Sequence, residues 1–210
     1  MKHDRATALT TGLGALGAVV TMVLHPTHGI HGLEGEAMLR AARFAAAVHG
    51  LAIASLATQL CGAWGIADRL GSRSWQVRAG FVAFAFAAVW GSIAATISAL
   101  TAPHVAARLV DVEPALGEAR RSAAFLLRPL VAAFTDVLIV GLAVTPLLWA
   151  RPLARESRLL AVAGALVGAL GLVAYLAGVL VDEVGPLGAF VTAFAAWLVA
   201  VAVWLWRTAR

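Results

Sequence analysis

The sequence predicts an all-α, polytopic transmembrane bundle of six helical spans. Three observations predict it. The chain of 210 residues is 61% hydrophobic and only 13% charged, where a soluble domain carries about 25% charged residues. Its mean hydropathy is +0.88. Its apolar residues arrive in six blocks, each near the roughly 20 residues a helix needs to cross the hydrocarbon core. So little polar surface cannot cover a globule in water, and lipid is the expected solvent. The whole chain, 1–210, reads as one integral membrane domain.

The spans are expected at approximately Thr7–His25, Ala42–Ala67, Ala79–Thr101, Ala123–Ala150, Leu159–Val181 and Pro186–Trp206. The first follows a short basic segment, Met1–Arg5, as a signal peptide would. Its apolar run is long for one and no small-x-small cleavage site precedes His25, so it is expected to be retained. The second carries Ser55, Thr58 and Gln59, which should hydrogen-bond across helices or back to carbonyls. The fourth contains Pro129 and Pro146, which a lipid-embedded helix tolerates. Gly14 and Gly17 in the first span, and Gly164, Gly168 and Gly171 in the fifth, allow close helix approach. Packing within the chain is the expectation there, with a homo-oligomer through these glycine-rich faces as the alternative. Pro186 suits the first turn of the last span. Cys61, Tyr175 and the mid-span Trp90 and Trp197 read as packing residues.

The connections set the expected orientation. With both termini in the cytoplasm, the inside segments carry ten of the sixteen basic residues: Lys2, Arg5, Arg69, Arg73, Arg78, Arg151, Arg155, Arg158, Arg207 and Arg210. Arg40, Arg43, Arg108, Arg120, Arg121 and Arg128 fall outside. That bias follows the positive-inside rule. Trp64, Trp75, Trp149, Trp204 and Trp206 then lie near the inner interface, where an indole can sit among headgroups. The Ala-, Arg-, Gly-, Val- and Leu-rich composition matches a GC-rich bacterial genome, so a bacterial cytoplasmic (inner) membrane is the expected location. Two outer loops are long, Pro26–Ala41 and Ala102–Ser122. In the second, His104, Arg108 and Asp111 recur at helical spacing, and Pro114 can open a further turn. An amphipathic helix on the outer interface is expected over about 103–120.

Several function classes drop out. A net charge of +5 might point to nucleic acid, but the basic residues sit between apolar blocks, without a cluster of interleaved aromatics. No Walker-type phosphate loop is present. Cys61 is the only cysteine, so neither an intramolecular disulfide nor a cysteine-rich metal site can form.

Chemistry concentrates in the histidines. His25, His28 and His31 fall within seven residues, in Leu24-His25-Pro26-Thr27-His28-Gly29-Ile30-His31-Gly32. Pro26 stops the helix at the outer interface, and Gly29 and Gly32 let the chain turn back. Neutral imidazole is a good ligand for transition metals. His49 lies about seven residues into the second span, roughly 10 Å below the interface. An ionisable residue at that depth is a functional candidate by default. His104 closes the third span on the same side, so five of six histidines gather at one face. Glu34 and Asp111 lie there too and could complete or support a metal shell.

A second feature is Arg128 and Asp136 in the fourth span, eight residues and about 12 Å apart along the axis. Each needs another partner. Ser92 in the third span falls at the depth of Asp136 and is the expected one, while Arg128 can snorkel outward. The favoured reading is therefore an outward-facing site for a transition metal, Zn or Cu, or for a single haem, built on His25, His28, His31 and His49 with support from His104, Glu34 and Asp111. The alternatives are a membrane-embedded metal-dependent hydrolase, a metal-free transporter or channel using Asp136 and Arg128, and a structural or assembly protein. The sequence names neither a reaction nor a substrate.

Overall fold

A computed structural model describes residues 2–25, 35–101, 114–180 and 184–209. Among them all regular structure is helical: α1 (Lys2–Val23), α2 (Gly35–Leu70), α3 (Trp75–Thr96), α4 (Pro114–Ala154), α5 (Arg158–Leu176) and α6 (Val184–Thr208). α3 runs on into one π-helical turn, Ile97–Thr101. Each of the six helices contains a stretch long and apolar enough to cross a membrane, which marks the chain as an integral membrane protein.

The helix ends differ from the sequence pattern for identifiable reasons. α2 starts seven residues before Ala42, and Glu36 and Arg40 form an exposed i,i+4 ion pair at 3.0 Å along this first part of the helix. α4 starts at Pro114 and runs unbroken through Pro129, Pro146 and Pro152. Residues 114–120 are thus its first turns and not part of a separate surface helix. The rest of that expected helix, 103–113, lies outside the described residues. α5 stops five residues before Val181. Gly178 adopts φ +77°, and Gly178 N and Val179 N donate back to the Tyr175 and Ala174 carbonyls at 2.9 and 3.0 Å, a left-handed helix stop.

Consecutive helices pack side by side, and α6 returns against α1, so the bundle closes into a ring. Its centre holds Phe84 of α3 stacked on Phe194 of α6 at 6.0 Å, with Trp197 tilted against Phe194 at 5.6 Å. Two indoles tie antiparallel neighbours together. Trp149 Nε1 of α4 donates to the Val77 carbonyl of α3 at 3.0 Å, and Trp197 Nε1 of α6 donates to the Leu160 carbonyl of α5 at 3.0 Å. Each ring lies over a glycine, Gly80 and Gly164 respectively. Trp149 is therefore a core residue, 1% exposed, and not one of the headgroup-level indoles. Burying its N–H is tolerable because the carbonyl accepts it. Trp90 stacks on Phe134 at 4.9 Å, joining α3 to α4.

α1 and α2 form a zipper of small and polar residues. Thr7 faces Gly65, Thr11 faces Gly62, Gly14 faces Gln59 and Gly17 faces Ser55. A Cβ at Gly14 would lie 2.7 Å from the Gln59 backbone nitrogen, so only glycine permits this approach. Gln59 Nε2 crosses to the Gly14 carbonyl at 2.9 Å. Ser55 and Thr58 instead donate to the carbonyls one turn back, Leu51 and Ala54. The glycines of α5 also face this chain's own helices: Gly164 meets Trp197, Gly168 meets Leu147 and Pro146, and Gly171 meets Phe190. Cys61 is exposed on the flank of the bundle, not packed inside as expected.

One end of the bundle is marked by arginine and tryptophan. The Arg5 guanidinium lies 5.5 Å from the Trp206 ring and that of Arg69 5.7 Å from Trp204. Arg69 also reaches Glu156 at 3.5 Å. Both termini, the α2–α3 turn and the α4–α5 turn meet at this end. The end of α1 and the start of α2 lie at the opposite one.

A candidate histidine site and an intramembrane carboxyl

At the opposite end, α1 finishes as the sequence dictates. Leu24 N and His25 N donate to the Val20 and Met22 carbonyls at 3.0 and 3.4 Å, and Pro26 follows. This sets His25 at the mouth of the α1–α2 groove. His49, half-buried on α2, meets it there. The two ring centroids are 5.2 Å apart and the planes are inclined at 59°. Residues 24 positions apart are thus brought together by the antiparallel register that the glycine zipper imposes.

The hydrogen bonding of His49 fixes its chemistry. Its Nδ1 lies 2.9 Å from the Ala45 carbonyl, one turn back. A carbonyl only accepts, so Nδ1 carries the proton, and in the neutral ring Nε2 keeps its lone pair. The same carbonyl bond holds the ring in one orientation, as is usual for imidazoles that bind metal ions.

Of the other residues expected at this face, His28, His31, Glu34, His104 and Asp111 lie outside the described residues. Among the described residues no group of three or more His, Cys, Asp or Glu side chains gathers as a metal shell. The structure thus brings two of the expected four histidines together. His3 is at the arginine end, as expected.

Asp136 is placed differently from expectation. Ser92 Oγ donates to the Ala88 carbonyl at 2.7 Å, and Thr96 donates to the Ser92 carbonyl at 2.8 Å. Ser92 is thus satisfied within its own helix. A hydroxyl back-bonded to its own turn gains its bond without ordering a second helix. The Oδ1 of Asp136 is buried and finds no hydrogen-bond partner among the described residues. Arg128 is exposed, in keeping with a snorkelling role.

Asp136 borders a cavity of about 330 Å³ between α3, α4 and α5. Its other walls include Ala83 and Phe86 of α3, Val140 and Val144 of α4, and Tyr175 of α5. Sequence reasoning named Asp136 but missed Phe86 and read Tyr175 as packing. The one available signal was that Tyr175 is the only tyrosine and lies near the end of a span, where a phenol is otherwise scarce in this chain.

The chain therefore offers two polar features inside an apolar bundle: a pair of imidazoles at one end, that of His49 oriented by its carbonyl bond, and a carboxyl on a cavity. Comparisons with protein-family models, with curated proteins and with solved structures return no match.

Proposed function

We propose that this chain is a bacterial inner-membrane protein that binds a single transition-metal ion at its extracytoplasmic face. His25 and His49 are two of the ligands. The observation that carries the reading is their 5.2 Å ring separation. A ligating nitrogen about 2.0–2.1 Å from zinc, with the ring centroid about 1.1 Å beyond, puts two imidazole centroids roughly 5.1 Å apart at a tetrahedral angle and about 6.3 Å apart in trans. The pair matches the tetrahedral value. It is too close for the two axial ligands of one haem, so a metal ion is preferred over haem. The Nδ1–H bond of His49 supports the reading, since it presents Nε2 as the ligand atom. Remaining ligands would come from His28, His31, His104, Glu34 or Asp111. The arginine bias between the two ends supports the assignment of the histidine end to the extracytoplasmic side.

The test is metal binding by the purified full-length chain. Zinc titration, with elemental analysis, is expected to give one ion per chain. His49→Ala and His25→Ala should each weaken binding by about tenfold or more, since each removes one direct ligand. Substoichiometric metal in the parent chain, or unchanged affinity in both variants, would reject the site. An absorption band of bound haem would redirect the proposal to other ligands.

A further inference from the structure

We propose that the cavity beside Asp136 binds a lipophilic ammonium, a small apolar molecule carrying one protonated amine, drawn from the bilayer. This site is separate from the histidine pair and does not depend on it.

Three observations define the occupant. The first is the carboxyl. Asp136 lines the cavity, and its Oδ1 is buried with no hydrogen-bond partner among the described residues. A buried carboxyl oxygen without a hydrogen-bond donor is costly, and the ligand that relieves that cost brings N–H groups. The second is the wall. Apart from Asp136 and the hydroxyl of Tyr175, the lining side chains are apolar, and Phe86 and Tyr175 contribute aromatic rings. A carboxyl combined with aromatic faces in an open apolar groove is the chemistry that recognises an organic cation. The third is the route of entry. Phe86 and Val137, both on the lining, are 57% and 36% exposed on the outside of the bundle. Their positions within membrane-crossing stretches of α3 and α4 turn that exposure toward lipid.

Charge decides between an amine and a neutral alcohol. The attraction of unit charges is about fourfold larger at the effective dielectric of a protein site than in water. A hydroxyl would supply one hydrogen bond and no such attraction. Size sets a further limit. About 330 Å³ is at the lower end of ligand pockets, roughly 300–1,000 Å³, so the ligand is a single-chain or single-ring amine.

The experiment uses the full-length chain in detergent, with radiolabelled decylamine as the probe and decanol and decanoate as competitors. Decylamine should bind saturably and about tenfold or more tighter than decanol, with decanoate inert. Asp136→Asn removes the charge and should weaken decylamine by about tenfold or more. Val140→Trp fills the cavity with the carboxyl intact and should also abolish binding, which keeps the test decisive if Asp136→Asn does not fold. Equal affinity for amine and alcohol overturns the proposal. So does unchanged decylamine binding in either folded variant.

Discussion

Gln59 and Asp136 are both polar residues placed deep in an apolar bundle, and they are treated in opposite ways. Gln59 is 3% exposed and reaches across the zipper to the Gly14 carbonyl. Its neighbours Thr11, Gly14 and Gly62 are chosen so that the two helices touch backbone to side chain. Asp136 has a buried oxygen with no such partner among the described residues, and the residue borders a cavity. A polar group that is satisfied by its own fold is a fastener. One that is left without a donor carries an uncompensated desolvation cost.

That contrast can be broken by substitution. The largest effect is expected from Gly14→Val, which drives a branched side chain into the Gln59 backbone. It should cost about 2–3 kcal/mol and lower the thermal unfolding midpoint in detergent. A midpoint equal to the parent's would show that α1 and α2 do not need this contact. Gln59→Leu keeps the volume and removes only the interhelical bond. A loss of about 1 kcal/mol is expected, in line with hydrogen bonds measured between membrane helices. The smallest effect belongs to Asp136→Leu. Deleting an unpartnered buried oxygen should leave stability unchanged or raise it by up to about 1 kcal/mol. A clear destabilisation by Asp136→Leu in chemical or thermal unfolding would make Asp136 a fastener like Gln59 and erase the distinction.

The sequence was informative where physics acts on runs of residues, and less so where it acts across helices. All six spans were legible, because apolar length is a local property. Their ends were not. Arg40 and Glu36 read as loop from charge alone, yet they pair along one helix face. Pro114 read as a turn in a surface helix, yet it is the first residue of a 41-residue helix. The tryptophans show the same limit. Trp64, Trp75 and Trp206 are exposed, as amphipathic interface residues should be. Trp149 is buried, and that depends on Gly80 of another helix leaving room for its ring. The meeting of His25 and His49 was partly legible, since both lie near the same ends of adjacent spans. The cavity was not, because it arises from gaps among three helices, and no single segment records it.

The closure of the ring bears on how the bundle is assembled. α1 and α2 can zip together once the first 70 residues have been made, and His25 and His49 are then already side by side. The other flank of α1 is covered by α6, the sixth helix in chain order. Until α6 arrives that flank must be shielded by lipid or by the insertion machinery. The clasp of Arg5 on Trp206 thus cannot form before α6 is in place. It marks the moment at which the helix pair carrying the histidines gains its second neighbour.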